Sequence, residues 1–232
     1  LGAQSWGQGH INDTYRVTYR RGTESVHYIQ QRINHAIFRD PAALMDNVQR
    51  VLEHLNAKLA DQPDAHRRVL RLIAAEDGKR YHRDENGDYW RAYHYIDGGR
   101  THDIVENPRQ ALEAAKAFGR FQRLIADLPG PRLNITIPDF HNTPKRLEAL
   151  ERAIALDSAN RSAQARPEIE FALSRAAMTG VLDDLLMNGA IPERIVHNDT
   201  KANNVIVDDA TQEGLCVIDL DTVMPGLTAL DF

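Results

Sequence analysis

A polar loop between two apolar segments, near the C-terminal end of the chain, constrains the fold more than any other feature. The loop begins with His197 and places Asp199 two residues later and Asn204 five residues after that. A β-branched run and a short polar turn follow, and a second apolar run ends at Asp219. Apolar runs joined by a polar turn predict a β-hairpin. This hairpin would bring Asn204 and Asp219 side by side.

These residue types suit the transfer of a phosphoryl group from ATP to a hydroxyl group. The reaction needs a carboxylate that orients the hydroxyl and accepts its proton, and we assign that catalytic role to Asp199. It also needs hard oxygen ligands for the Mg2+ ions that bridge the phosphates, and we assign Asn204 and Asp219 to this metal site. His197 is interpreted as a structural residue that holds the loop.

Five segments, spread over nearly the whole chain, together resemble one family. They are residues 7–14, 31–34, 139–143, 197–204 and 218–226. In these segments the chain resembles the aminoglycoside phosphotransferase and choline-kinase-like enzymes, and within that group the N-acetylhexosamine 1-kinases. The resemblance implies an α+β, bilobal protein-kinase-like fold. Residues 1–97 would form an N-lobe of antiparallel sheet plus helix, and residues 98–232 a mostly helical C-lobe that carries the catalytic-loop hairpin.

The resemblance also implies ATP and Mg2+ as cofactors and a hydroxyl-bearing acceptor, most simply the anomeric hydroxyl of an N-acetylhexosamine. Lys201 stands where protein kinases carry a phosphate-contacting lysine, so a catalytic role follows for it. His141 and Asp221 are the residues that would contact the sugar, although Asp221 also fits a role in hydrogen-bonding the loop. The residues implied in nucleotide binding are Gly7, Gly9, Asn12, Thr14, Gln31, Arg32, Tyr95 and Ile96.

One departure from the family concerns the lysine that protein kinases place on the third strand. This chain has no lysine before Lys58. Gln31 takes the lysine's position by resemblance, whereas Arg32 is the better phosphate partner by charge. Because strand residues alternate between faces, only one of the two can face the nucleotide in a regular strand. We predict that Arg32 contributes more to ATP affinity than Gln31.

Local signals predict the other elements. Asp40-Pro41 and Asn107-Pro108 pair an N-cap with a proline at the first helical position. The second of these helices should bury an apolar stripe of alanine, phenylalanine and leucine side chains while Glu113 faces water. Further helices are predicted over residues 143–157 and 167–188, and strands over residues 12–19, 25–33, 69–74 and 89–96, with a turn at Asn86-Gly87.

Composition narrows the function classes. A net charge of −5 and a pI near 6.1 argue against nucleic acid or an anionic membrane as a partner. No apolar run approaches the roughly 20 residues that a membrane span requires. The single cysteine, Cys216, rules out an intramolecular disulfide, predicts a buried apolar role and fits the cytoplasm. A first residue other than Met and an end at Asp231-Phe232 indicate part of a longer protein.

Two other functions remain compatible with the sequence. The acceptor could be another small hydroxyl compound, of the aminoglycoside, choline or homoserine type. The chain could also be a nucleotide-binding pseudokinase module that serves as a partner for another protein. The missing strand lysine favours the pseudokinase, whereas Asp199, Asn204 and Asp219 together argue against it.

Overall fold

An antiparallel sheet forms the N-terminal part of the protein. The structure is a computed structural model, and it describes residues 2–7, 9 and 11–232. Gln8 and His10 lie outside the described residues. They belong to the segment around the nucleotide-binding candidates Gly7 and Gly9, which we call the glycine loop. Within the described residues the sheet has six strands: β1 (Gly2–Ser5), β2 (Asp13–Arg21), β3 (Glu24–Ile33), β4 (Leu72–Ile73), β5 (His82–Arg83) and β6 (Tyr89–His94). Their order is β1-β2-β3-β6-β4, and β5 also pairs with β6.

Helix α1 (Pro41–Leu59) covers the apolar face of this sheet. The helix begins where predicted, because the side chain of Asp40 accepts a hydrogen bond from the backbone N–H of Ala43 at 3.0 Å. Its apolar residues recur at steps of three and four, so they form one stripe that packs into the main core. The fully buried members of this core include Ile33, Phe38, Leu44, Val48, Val51 and Ile125.

A short helical turn, α2 (Ala65–Arg68), precedes β4 and was not predicted from the sequence. Helix α3 (Pro108–Ile125) begins as predicted, with Asn107 as its N-cap. The prediction that Glu113 faces water is wrong. Its side chain is buried because the carboxylate accepts hydrogen bonds from the backbone N–H of Gly214 and from Lys116. Gly214 permits this contact, since a Cβ atom there would lie 2.7 Å from the carbonyl oxygen of Glu113.

The predicted hairpin is present and belongs to a small sheet. Its strands β9 (Val205–Asp208) and β10 (Gly214–Val217) pair in antiparallel fashion, and β7 (Gly99–Arg100) adds to the outer side of β9. A further pair of strands, β8 (Arg194–Val196) and β11 (Met224–Gly226), brings the chain into and out of the polar loop region. Cys216 lies buried in β10, as predicted, and burial raises the pKa of its thiol to about 12.

Residues 138–193 form a separate compact unit of helices. The first is α4 (Thr143–Leu156), capped by Asn142 as predicted. The single helix predicted over residues 167–188 is instead two, α5 (Arg166–Leu173) and α6 (Val181–Met187), with a 3-10 turn at Ala176–Met178. Hydroxyl groups explain the break: Ser174 and Thr179 donate back to backbone carbonyl groups, an alternative to a continuous helix.

The other compact unit contains residues 1–137 and 194–232. The polar loop, the hairpin and the N-terminal sheet therefore belong to one unit. The lobe boundary at residue 97 remains a prediction. No helix in the described part of the chain is both long and apolar enough to cross a membrane.

Candidate active site

The polar loop is held rigidly at its first residue. His197 follows β8, is fully buried, and its ring lies edge-on to Phe118 and Phe121 of α3, with centroids 5.1 and 5.6 Å away. Its Nε2 lies 2.9 Å from the carbonyl oxygen of Ile218, and its Nδ1 lies 3.3 Å from the backbone N–H of Asp199. Burial lowers the pKa of His197 below its usual value. A neutral, structural histidine fits all of these contacts.

Asp231 fixes the backbone of the same loop. Its buried carboxylate accepts hydrogen bonds from the backbone N–H groups of His197 at 2.8 Å and Asn198 at 2.7 Å. The amide of Gln122 donates to the same carboxylate at 3.0 Å. Asn198 adopts a left-handed conformation with φ of 67°, which asparagine tolerates better than most residues. The chain thereby turns sharply just before Asp199.

The proposed base, Asp199, is half-buried and partnered on one oxygen. Lys201 lies 2.7 Å from Oδ2, and the side-chain amide of Asn204 donates to the same atom at 3.0 Å. The described residues provide no hydrogen bond to Oδ1, which leaves that atom for an acceptor hydroxyl. Lys201 is about half exposed, so its flexible side chain can also reach a ligand.

The hairpin sets Asn204 next to the strand end that carries Asp219. The backbone N–H of Ile218 donates to the carbonyl oxygen of Asn204 at 2.9 Å, and Val205 pairs with Val217. The amide nitrogen of Asn204 donates to both the backbone and the side chain of Asp199. In the described chain its amide oxygen accepts no hydrogen bond, so it is available to a cation.

Asp219 lies in an environment that disfavours the negative charge of its carboxylate. It sits in a left-handed conformation with φ of 61°, immediately before a 3-10 turn at Leu220–Thr222. Its side chain reaches solvent but is crowded by protein, and this partial burial, followed by repulsion from Asp221, raises the pKa of Asp219 to about 6. A divalent cation would relieve that repulsion. In the described residues no group of three or more His, Cys, Asp or Glu side chains is placed so that it could hold a metal ion.

Asp221 is deeply buried and fully engaged by protein groups. Arg91 of β6 forms an ion pair with its Oδ1 at 2.5 Å, and the side chain of Asn12 donates to its Oδ2 at 2.6 Å. Burial opposes the charge on Arg91, but the nearby carboxylate outweighs this effect and raises its pKa. Both oxygens of Asp221 have protein partners, and these partners are Arg91 and Asn12 rather than groups of the polar loop. The assignment of Asp221 to the sugar site remains a prediction.

The two candidates on β3 face opposite sides of the sheet. Gln31 pairs with Thr14 and Arg91 in the strand register, and its side chain hydrogen-bonds both. Arg32 lies on the other face, where its exposed guanidinium pairs with Asp13 and Asp88. The structure therefore brings Gln31, and not Arg32, into the network that contains Asp221.

The glycine loop and the segment after β6 supply the remaining nucleotide candidates. The backbone N–H of Trp6 donates to the carbonyl oxygen of Thr14 at 2.9 Å, which closes the loop. Gly7 has a φ of 79°, a conformation that residues with a side chain rarely adopt. The backbone at Gly9 lies outside this region, so other residues could adopt its conformation. Both have open space around the Cα atom, as close approach of a phosphate requires.

Tyr95 and Ile96, both candidates for nucleotide binding, directly follow β6. The backbone N–H of Tyr95 is directed to the carbonyl oxygen of His27 at 3.4 Å, and its ring lies 5.9 Å from that of Trp6. Ile96 packs its side chain into a small cluster with Leu215 and Cys216. In the described residues no backbone hydrogen bond engages the N–H of Ile96, so this group is available to the edge of a purine.

His141 belongs to the helical unit, in the loop before α4. Its ring packs against that of Phe140, with centroids 4.7 Å apart. Its carbonyl oxygen accepts a hydrogen bond from Thr143. The assignment of His141 to the sugar site remains a prediction.

Sequence reasoning missed three charged residues near these groups. Arg91 had a visible signal, because it alternates with Tyr89 and Tyr93 and so falls on the apolar face of its strand. Arg16 lies over the rings of Trp6 and Tyr95, and its Nε is buried without a hydrogen-bond partner among the described residues. Asp231 carried only a weak signal, as an acid in an apolar segment.

A family comparison agrees with this arrangement. The model of the APH phosphotransferase enzyme family matches residues 3–232, nearly the whole chain. The chain belongs to this family. Its fold is accordingly the α+β fold of the protein-kinase-like phosphotransferases, and the sequence-based prediction of that fold is confirmed.

Solved structures with similar folds include three kinases, each of low sequence identity to this member of the APH family. An amicoumacin kinase in complex with AMP-PNP, Ca2+ and amicoumacin has a TM-score of 0.64 and 14% identity, covering 99% of this chain and 61% of its own. A spectinomycin phosphotransferase bound to AMP has a TM-score of 0.57 and 14% identity, and the match covers 99% of this chain and 67% of the phosphotransferase. An ethanolamine kinase of Plasmodium vivax has a TM-score of 0.55 and 16% identity, and the match covers 99% of this chain and 58% of that kinase.

This APH-family chain therefore spans about three fifths of the length of such kinases. At these identities the similarity shows the fold and does not identify the acceptor.

Proposed function

We propose that this protein is a small-molecule phosphotransferase that uses ATP and Mg2+. The observation that carries the proposal is the arrangement around Asp199. One carboxylate oxygen is held by Lys201 and Asn204 while the other has no partner among the described residues. A carboxylate fixed in this way can orient an acceptor hydroxyl and take its proton as the phosphoryl group transfers.

The neighbouring residues have complementary roles. Asn204, through its free amide oxygen, and Asp219, through its carboxylate, would hold Mg2+, which would neutralise the negative charge of the phosphates when bound. Lys201 would leave Asp199 and contact the transferring phosphoryl group, where a cation stabilises the spread negative charge of the transition state. The backbone of the glycine loop and of Ile96 would hold the phosphates and the base.

For the acceptor we propose the anomeric hydroxyl of an N-acetylhexosamine, which would give a sugar 1-phosphate. The support is the sequence resemblance in residues 7–14, 139–143 and 218–226. The cytoplasm, where ATP is available, is the compartment that this function suits. Other hydroxyl compounds and the pseudokinase function are outcomes that the experiment must separate.

The test is a product-mass screen with ATP and Mg2+ over N-acetylhexosamines, aminoglycosides and amino alcohols. Asp199→Asn serves as the matched control, because it preserves shape and removes the carboxylate. Phosphorylated N-acetylhexosamine from the wild type and none from the variant is the expected result. Phosphorylation of an aminoglycoside or amino alcohol alone would correct the acceptor. Nucleotide binding with no product in any reaction would favour the pseudokinase function.

A further inference from the structure

A buried ion pair links the N-terminal sheet to the segment that carries Asp219. Arg91 and Asp221 are 130 positions apart in sequence, and their side chains are only 1% and 2% exposed. Removing two charges from water is costly, so a pair like this is weak evidence for stability by itself. Its position beside the candidate metal ligand suggests a functional reason.

The guanidinium of Arg91 is oriented by groups on both sides. Its Nε donates to the side-chain oxygen of Gln31 at 3.0 Å, and the amide of Gln31 donates in turn to the hydroxyl of Thr14 at 3.0 Å. Its Nη1 also lies 3.8 Å from the sulfur of Met45 on α1. The planar fork is therefore fixed in one direction, toward Asp221.

Asp221 connects Arg91 to two segments, the turn that follows Asp219 and the end of the glycine loop. It lies in the 3-10 turn that immediately follows Asp219, so its position fixes the backbone that presents Asp219. Its second oxygen receives the amide of Asn12, the residue that follows the glycine loop, and the side-chain oxygen of Asn12 accepts the backbone N–H of Asn34. One buried carboxylate thus joins the glycine-loop end of β2 to the Asp219 turn.

We propose that Arg91 is a positioning residue that, through Asp221 and Asn12, holds Asp219 in register with the glycine loop. This inference rests on the proposed function, since it takes Asp219 as a ligand of nucleotide-bound Mg2+. Protein kinases fix their phosphate site with a strand lysine paired to a helix glutamate. Here the cation stands on β6 and its acidic partner follows the metal aspartate, and Gln31 occupies the lysine position as an orienting amide.

The experiment measures binding of a non-hydrolysable ATP analogue with Mg2+ and with EDTA. Arg91→Met removes the charge, and Arg91→Lys keeps it without the fork. Asn12→Ala removes the hydrogen bond to Asp221 together with the one that Asn12 accepts from the backbone N–H of Asn34. Arg20→Met is the matched control, since it removes an exposed arginine from β2 of the same sheet. Charged hydrogen bonds predict about a 10- to 100-fold loss of Mg2+-dependent affinity in Arg91→Met. Arg91→Lys should retain part of that affinity.

The Mg2+ dependence separates positioning from a merely structural role. A positioning role weakens binding with Mg2+ while binding in EDTA stays near wild type, whereas general damage weakens both. If Arg91→Met does not fold, Arg91→Lys and Asn12→Ala decide, because each leaves the buried charges compensated. If the Arg91 and Asn12 variants fold and their affinity for the analogue depends on Mg2+ as in the wild type, this inference is overturned and the proposed function is not. A wild-type protein that binds the analogue equally with and without Mg2+ would overturn the proposed function, and this inference with it.

Discussion

The carboxylate of Asp231 accepts the backbone N–H of His197 from 34 positions further along the chain, at 2.8 Å. The same carboxylate accepts the backbone N–H of Asn198. Two N–H groups that converge on one buried acceptor define where the loop turns, and Asp199 follows directly. Asp231 therefore fixes the backbone that directly precedes the candidate base.

We expect Asp231→Asn to lower kcat while the KM for ATP stays within a few-fold of wild type. An amide presents only one acceptor oxygen to the two N–H groups, and a buried charged hydrogen bond contributes about 1.5–3 kcal/mol, or roughly 10- to 100-fold. Steady-state kinetics measures kcat and the KM for ATP, and thermal unfolding shows whether the variant remains folded. Asp209→Asn, at an exposed carboxylate paired with Arg100, is the control and should change neither. An unchanged kcat in Asp231→Asn would remove the positioning role.

Asp199→Asn should lower turnover severely and preserve nucleotide binding, because the base acts on the acceptor hydroxyl. General-base help contributes about 10²- to 10⁴-fold, so the loss should be of that order. Single-turnover kinetics and a separate binding titration provide the two measurements. Turnover close to wild type would refute the assignment of Asp199.

The two candidate metal ligands should differ in what their loss affects. Asp219→Ala should remove the Mg2+-dependent part of nucleotide binding, since it removes the site's charged ligand. Asn204→Ala should weaken that part and also lower turnover, because Asn204 hydrogen-bonds Asp199. Titrating Mg2+ against ATP affinity in both variants tests this. Wild-type metal dependence in Asp219→Ala would exclude it as a ligand.

The contacts of the two β3 residues favour the reverse of the order expected from the sequence. Arg32 is exposed and paired with Asp13 and Asp88, and surface ion pairs contribute about 0–1 kcal/mol. Arg32→Ala should therefore change ATP affinity by no more than about two-fold. Gln31→Ala removes a hydrogen bond from the guanidinium of Arg91 and should weaken ATP affinity more than Arg32→Ala does. Affinities of the two variants decide. A larger loss in Arg32→Ala would restore the sequence-based order.

This reversal shows which part of the site the sequence could predict. The loop motif and the hairpin follow from local periodicity and turn chemistry, so the sequence could predict that Asp199, Asn204 and Asp219 lie in one region. The choice between Gln31 and Arg32 depends on which face of β3 meets α1, and that is a tertiary property. The partners of Asp221 and Asp231 lie 130 and 34 positions away, and no local pattern identifies such pairs. Glu113 was misassigned for the same reason, since its acceptor role depends on Gly214.

His197 predicts a pH dependence of stability. The neutral ring with a proton on Nε2 donates to the carbonyl of Ile218 and accepts the N–H of Asp199 at Nδ1. A proton on Nδ1 would oppose that N–H and place a charge in a buried site. The folded-state pKa lies below the unfolded value near 6.5, so the unfolded chain binds the extra proton first. Stability should therefore fall as the pH drops below about 6.5 and through the lowered folded-state pKa.

The measurement is thermal unfolding between about pH 8 and pH 5, the range in which histidine titrates. We expect His197→Gln, which can still donate and accept but does not titrate, to flatten this acid-side loss even if it lowers the melting temperature overall. His66→Gln, at an exposed histidine on α2, is the matched control and should follow the wild-type profile. A wild-type slope in folded His197→Gln would show that other groups cause the acid instability, and the neutral buried histidine would then need direct testing by its NMR titration.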